Sequence, residues 1–490
     1  MRARQTNNRR DTPPSLSVRL GSHVTLKTDA NGQITACFDR FSLPLGTLSA
    51  AATDRAQHLR TGLSLRSVAP GSGTIAKEID ALVRRLARHG LLEYRLGRSP
   101  DGTDQIVIEP QVADYWPRTP PLRNDDILVL SRFAYMRRRG NEMVLESPRA
   151  GALFRICDPK LVASLALLST PQTIKRLSRQ DAFPGTELLA LLVDSRILFK
   201  VKTAADTDLR LAEGDDKLVL WDFHDLVFHA RSTVGRHANP LGGVFPYAGV
   251  VTPLPAVRPR WPGTKIDLRE FSTTNSAAMP RTAKLLRERH STRGFDDQRP
   301  ITLAELALFL DGTARVVSRF KSRLDLADAR GPLVTYAARP YPSAGAGYEL
   351  ELYVAADRCE GLARGFYHYD AGAHALMPIG VAENELEAML TGAKYAMGAS
   401  AAPQILLTIA ARFGRMSWKY SAIAYTLILK DVGVLMQTLY LMATDMGLGG
   451  CAIGTANIDL FAKMTGIDFH IEGPVGQFAL GRKAKSATRP

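Results

Sequence analysis

The sequence predicts an α+β protein: a C-terminal domain of mixed or antiparallel sheet with helices, preceded by two winged-helix-like units. Three observations carry this reading. Helical and strand patterns alternate from about residue 280 to the end. A hairpin–helix–strand pattern occurs twice in the first 200 residues. A proline-rich stretch separates the two regions and forbids a long helix there. The length of 490 residues, at about 150 per domain, allows two to four domains.

The first unit spans 15–112. It opens with the alternating run SVRLGSHVTLKTDANGQITACF, with a turn at 29–32. It closes with TIAKEIDALVRRLARHGLLEYRL, in which Ile79, Leu82, Val83 and Leu86 share a helical face and His89-Gly90 stops the helix. A joint, YWPRTPPLRN, leads to the second unit at 124–202. There LSRFAYMRRRGNEMVLESP turns at Gly140-Asn141, and FPGTELLALLVDSRILFKVK repeats the helix, break and strand. Ala81 aligns with Glu187, and Leu91-Leu92 with Ile197-Leu198. A DNA-reading helix needs several exposed basic or amide side chains. The first helix has Arg84, Arg85 and Arg88, but the second has only Arg196, beside Asp194. A nucleic-acid partner is therefore not expected, and addition of a peptide strand to an exposed wing edge is a physically reasonable alternative.

Residues 1–14 read as a disordered basic arm without the apolar core of a secretory signal. Residues 203–279 read as a crossing segment, with prolines at 240, 246, 253, 255, 259 and 262. Its His224, His229 and His237 lack carboxylate or thiolate partners at ligand spacing, so no metal site is expected. Cys37, Cys157, Cys359 and Cys451 lie far apart, which excludes a disulfide framework and fits a reducing cytoplasm. The most apolar stretch, 421–443, is interrupted by Lys430-Asp431, so no membrane span is expected. Lys and Arg number 63 and Asp and Glu 48, a net charge of +15 that favours an acidic partner without choosing one.

Four clusters in the last domain, 280–490, could carry chemistry. Arg289-His290-Ser291-Thr292-Arg293 packs guanidiniums and a hydroxyl into five residues, a set suited to a phosphate or, more plainly, to a basic helix end. Arg339-Pro340-Tyr341-Pro342-Ser343-Ala344-Gly345-Ala346-Gly347-Tyr348 is a stiff loop whose glycines allow a ligand close approach. Lys419-Tyr420 is suited to proton transfer if burial or a neighbouring cation lowers a pKa. Gly447-Leu448-Gly449-Gly450-Cys451 ends the long apolar helix, with Cys451 read as a small core residue.

The order and spacing of these clusters resemble the flavin-dependent nitroreductase superfamily. RHSTRGFD followed by an Ile-led helix is similar to its first phosphate-binding element. LILKDVGVLMQTLYLMATDMGLGG resembles its central dimer helix and flavin-facing turn. FHARSTVGRHANPLGG, RPYPSAGAGYELELYV and Lys419-Tyr420 resemble the SagB-type dehydrogenases of peptide natural-product pathways. The resemblance covers about 215–485 and implies FMN, a homodimer and oxidation of thiazolines and oxazolines in a precursor peptide, beside a cyclodehydratase. It implies that Arg289, His290, Ser291 and Arg293 hold the phosphate, that Ser343 and Gly345 line the ring or ribityl chain, and that Gly449 and Gly450 present N–H groups to the flavin. It implies that Arg482 reaches the phosphate and that Lys419 and Tyr420 remove the proton. The sequence departs from the family pattern at Ser343–Tyr348, at Glu349, which stands where a proline is usual, and at Gln437-Thr438, where Gln-Asn is usual. The other readings are a small-molecule nitroreductase and a peptide- or DNA-binding module with a degenerate flavin site.

Overall fold

The computed structural model describes residues 15–38, 41–68, 73–97, 104–180, 183–203, 216–233, 245, 248–258, 262, 266–268, 279–326 and 329–484. The basic arm 1–14, His237 and most of the crossing segment lie outside the described residues. The chain divides into two compact units: 1–231 with 235–238, and 232–234 with 239–490.

In the N-terminal unit the same order of elements occurs twice. The first pass is β1 (Ser15–Leu20), β2 (Val24–Thr28), β3 (Gln33–Phe38), β4 (Phe41–Thr47), α1 (Ala50–Gln57), β5 (Leu63–Ser64), α2 (Leu65–Val68), α3 (Thr74–Arg88), β6 (Leu92–Gly97) and β7 (Asp104–Pro110). The second is β8 (Ile127–Leu130), β9 (Tyr135–Arg139), β10 (Glu142–Glu146), β11 (Ala152–Ile156), α4 (Lys160–Ala166), β12 (Gln172–Thr173), α5 (Ile174–Leu177), α6 (Thr186–Asp194) and β13 (Leu198–Val201). In each pass the first strand lies between the short strand and the last one: β5-β1-β6 and β12-β8-β13. Ile79, Leu82, Val83 and Leu86 of α3 are buried as the periodicity predicts.

The two passes are not independent bodies. Strand β7 pairs with β11, register Phe154↔Ile108, giving one sheet in the order β5-β1-β6-β7-β11-β10-β9. One apolar core runs from Val18 to Leu198. The proline-rich joint is part of it: Tyr115 is buried, its carbonyl accepts from the Tyr94 hydroxyl at 2.9 Å, and its own hydroxyl meets Ser195 Oγ. The arginines weighed for DNA are engaged inside the unit. Arg84 pairs with Asp80 and covers Trp116, Arg85 donates to the Leu45 carbonyl, and Arg88 faces Asp114 at 3.6 Å. Helix α7 (Phe223–Ser232) follows; its His229 is buried and stacks on Trp221, while His224 is exposed.

The C-terminal unit contains α8 (Arg281–Glu288), β14 (Ile301–Thr302), α9 (Leu303–Ala314), β15 (Ser318–Leu326), β16 (Ala329–Ala338), β17 (Leu350–Ala356), β18 (Cys359–Glu360), β19 (Gly365–Asp370) and β20 (Ala375–Ile379). It continues with α10 (Glu383–Met397), β21 (Ile405–Arg412), α11 (Phe413–Ser417), α12 (Ala424–Asp445), β22 (Leu448–Ile453), α13 (Ile458–Thr465) and β23 (Glu472–Arg482). Its main sheet is antiparallel, in the order β20-β19-β17-β21-β23-β22. The apolar run of β21 suits a central strand covered on both faces. Helices α10 and α13 pack through Leu386, Met389, Leu390, Phe461 and Met464 against Tyr353 and Phe366 of the sheet.

Helix α12 packs against β22, β23 and α9. The sequence suggests a helix over 420–447; in the structure it runs from Ala424 to Asp445, leaving Lys419-Tyr420 in the turn between α11 and α12. Contrary to the sequence expectation, α12 by length and composition is long and apolar enough to cross a bilayer. In the fold, its face from Ala424 through Asp431 to Ala443 is buried against protein.

Gln404, fully buried before β21, ties the unit together. Its amide donates to the Asp296 carbonyl at 2.6 Å, and its side-chain oxygen accepts from the N–H groups of Ile301 and Arg482. Gln404→Leu orphans both N–H groups and should cost about 1–3 kcal/mol for each, read by urea unfolding. A change below about 0.5 kcal/mol would contradict the staple.

Candidate active site

Two clusters are fastened to α12 at points nine residues apart, about 13.5 Å along its axis at 1.5 Å per residue.

The first cluster centres on Tyr440. After α8 the chain turns at Arg289 and runs beside β22, with a parallel bridge between Ser291 and Gly450 and the Thr292 N–H donating to the Gly450 carbonyl at 2.8 Å. The Tyr440 hydroxyl lies 2.8 Å from Ser291 Oγ and accepts the Ala452 N–H at 2.8 Å. The Arg289 guanidinium sits 4.8 Å over the Tyr440 ring. Among the described residues, neither Arg289 nor Arg293 pairs with a carboxylate, whereas the nearby Arg281 and Arg299 both do. His290 is exposed beside them, and the buried Thr292 hydroxyl has no partner. Two uncompensated guanidiniums and two hydroxyls on one five-residue segment form a donor set that fits a phosphate.

Gly449 and Gly450 lie in β22 against this segment. A Cβ at Gly449 would stand 2.6 Å from Thr292 Cγ2, and one at Gly450 would run into the Phe478 ring. Their smallness is therefore already used by protein packing. Buried Cys451 is next to them, and burial raises its thiol pKa. Arg482 is placed differently: its guanidinium holds Glu305 at 2.7 and 2.8 Å, and Glu305 also caps α9 through Thr302. A phosphate reaching Arg482 would share it with that carboxylate.

The second cluster joins the 343–348 loop to Lys419 and Tyr420. Gly345 (φ 56°), Ala346 (φ 53°) and Tyr348 (φ 43°) are left-handed, a conformation that strains the two non-glycine residues. The Lys419 ammonium donates to the Gly345 carbonyl at 2.9 Å and lies 5.9 Å from the Tyr336 ring centroid. Arg415, four residues earlier, donates to the Gly347 carbonyl at 3.1 Å. Both Lys419 Nζ and Tyr420 Oη lie where a Cβ on Gly345 would be. Close packing against Lys419 and Tyr420, together with the positive φ, thus requires glycine at 345.

The loop is anchored from behind by α12. Ser343 Oγ donates to Asp431 at 2.8 Å, and Asp431 also accepts the Ala344 N–H at 2.9 Å. The Tyr348 N–H returns to Ser343 Oγ at 2.9 Å. Sequence reasoning noted Asp431 only as an interruption and Glu349 only as a departure, and it missed Tyr440. The available signal was a charge in the middle of an apolar helix, which is costly unless it has partners.

Beside the loop is a cavity of about 710 Å³, lined by Tyr336, Gly347, Tyr348, Arg415 and, further in, Arg339, Glu351, Tyr353, His368 and Glu472. The Glu351 carboxylate raises the His368 pKa, and burial raises that of Glu472, which accepts from the Tyr353 hydroxyl at 2.6 Å. The cavity's lining is mixed polar and apolar, and Tyr336 borders both it and Lys419.

The C-terminal unit is thus an α+β fold, an antiparallel sheet backed by a long helix, with a phosphate-suited segment and a Lys-Tyr pair near that helix. Residues 286–482 match the model of the nitroreductase family, and residues 128–238 match that of the cyanobactin oxidase ThcOx. A protein of Methanocaldococcus jannaschii named as a nitroreductase is 33% identical over 170 residues, covering 35% of this chain and 76% of that one. The chain belongs to the nitroreductase family. Solved structures similar to it include a nitroreductase of Ralstonia eutropha at 23% identity, covering 44% of this chain and 88% of that one, with a TM-score of 0.33. Another is the Escherichia coli microcin synthetase McbBCD complex with truncated pro-MccB17 bound, at 20% identity, covering 55% and 97%, with a TM-score of 0.39.

Gly345→Ala can be compared with Gly398→Ala, since Gly398 is also left-handed (φ 62°) but has open space at its Cβ. Both should lose about 1–2 kcal/mol of stability. Only Gly345→Ala should displace Lys419, seen as faster labelling of that amine by an acylating reagent. Equal labelling of Lys419 in the two variants would contradict the contact.

Proposed function

We propose that this chain is an FMN-dependent azoline dehydrogenase, which oxidises thiazoline or oxazoline rings in a ribosomally made precursor peptide to thiazoles or oxazoles. The observation that carries the proposal is the meeting of Lys419 and Tyr420 with the Gly345 loop, whose Gly347 and Tyr348 line a cavity of mixed polar and apolar character. The guanidiniums of Arg289 and Arg293, which pair with no carboxylate among the described residues, and the Ser291 hydroxyl between them support a phosphate-bearing cofactor on the same helix. The nitroreductase and cyanobactin-oxidase matches support the redox class and the peptide substrate.

In this reading Arg289, His290, Ser291 and Arg293 hold the FMN phosphate, and Ser343 and Gly345 contact the ring or ribityl chain. Gly449 and Gly450 offer backbone N–H groups, and Arg482 is an auxiliary cation. Bound FMN supplies the hydride acceptor for the ring carbon beside Cα. The protein's own work is position and proton transfer. Tyr336, Tyr348 and Arg415 seat the peptide in the cavity with the azoline facing Lys419. The Cα proton is taken at whichever of Lys419 Nζ and Tyr420 Oη, the two groups closest to Gly345, is unprotonated when the peptide binds. Loss of one proton and one hydride balances the conversion of azoline to azole. The N-terminal unit then serves as the peptide-holding part, and a cyclodehydratase supplies the azoline. A homodimer follows from the same resemblance.

A small-molecule nitroreductase is the second reading, because about 710 Å³ also suits a small ligand. Product mass separates the two: azole formation leaves the peptide two hydrogens lighter. Lys419→Ala should retain its flavin and lose azole formation by about 100-fold or more. Wild-type turnover in that variant would remove Lys419 from the chemistry. Arg293→Ala should weaken FMN retention by roughly 10- to 100-fold, and unchanged flavin content would refute the phosphate role.

A further inference from the structure

Glu349 is fully buried just before β17, and among the described residues its Oε1 has no hydrogen-bond partner. Its Oε2 lies 3.3 Å from Ser343 Oγ. That hydroxyl lies closer to Asp431 Oδ2, at 2.8 Å, and already accepts the Tyr348 N–H. A serine hydroxyl carries one hydrogen and cannot donate it to two carboxylates at once. The shorter contact assigns that hydrogen to Asp431. Among the described residues the Glu349 carboxylate is then left with its own backbone N–H as donor, unless it carries a proton itself.

The surroundings offer no compensating cation. Among the described residues, no Lys, Arg or His pairs with Glu349 or Asp431. Arg339 is paired with Glu351, Arg415 is bound to the Gly347 carbonyl and Lys419 to the Gly345 carbonyl. Tyr341, also facing the pair, is buried, and its hydroxyl has no partner. Two ionised carboxylates in this place would repel each other without relief.

We propose that Glu349 is held as a carboxylic acid, and that its proton fastens the 343–348 loop to Asp431, making Glu349 the positioning residue for the Lys419–Gly345 contact. This goes beyond the proposed reaction and does not depend on the substrate. Burial, reinforced by Asp431, pushes the Glu349 carboxyl up to about 7. A raised acid adds stability that is complete below its unfolded value, near 4.5, and is lost as pH rises through about 7. Above that pH the loop loosens, and the Gly345 and Gly347 carbonyls leave Lys419 and Arg415.

Glutamine carries hydrogens at every pH, so Glu349→Gln should keep the fastening and remove its titration. Melting temperatures of the full chain and of Glu349→Gln would be followed from about pH 5 to about pH 8. Wild type should lose stability relative to the variant across that range. Amine labelling of Lys419, as a wild-type-to-variant ratio, should stay near one in acid and rise several-fold above neutrality. Parallel melting curves and a constant labelling ratio would overturn the proposal. If the variant does not fold, wild type alone decides. An infrared carbonyl band of a protonated carboxyl that titrates near neutrality supports the proposal, and its absence across the range overturns it.

Discussion

Both candidate clusters in the C-terminal unit depend on polar contacts made by one long, largely apolar helix. Asp431 holds the Ser343 end of the glycine loop, and Tyr440 holds the Ser291 segment. Burying a carboxylate in an apolar helix is unfavourable without hydrogen bonds, and Asp431 takes them from the hydroxyl and N–H it positions. The stability of the helix and the placement of the loop are therefore one property. Lys419 and Arg415 close the arrangement from the other side, each on a carbonyl of the same loop.

Local pattern was legible in the sequence where one residue's environment depends on near neighbours. The buried face of α3 follows from the 3.6-residue period, and the second hairpin turns at the left-handed Gly140, as the Gly-Asn pair suggests. The internal repeat was legible for the same reason, since matching helix–break–strand patterns imply matching folds. The joining of its two halves through β7 and β11 was not. Strand partners are chosen by tertiary packing, and nothing near Ile108 announces Phe154.

The site was legible in parts. Its residue types could be read, but not which of them meet. Lys419 and Gly345 are 74 residues apart and Ser343 and Asp431 are 88 apart, distances over which periodicity carries no information. Gly449 and Gly450 show a different difficulty. Glycine signals a close approach without saying what approaches, and here Thr292 and Phe478 do so. Arg482 is similar, because a basic residue looks available until the fold supplies Glu305. Glu349, visible only as a misplaced residue, gains meaning from the carboxylate that α12 brings beside it.

If the two clusters on α12 seat one phosphate-bearing flavin, the absorption spectrum of the purified chain, with the released cofactor identified by mass, shows it directly. A yellow protein carrying FMN at close to one per chain is expected. A chain that stays colourless after incubation with FMN would contradict it, and would leave the Arg289–Arg293 donors without the ligand assigned to them.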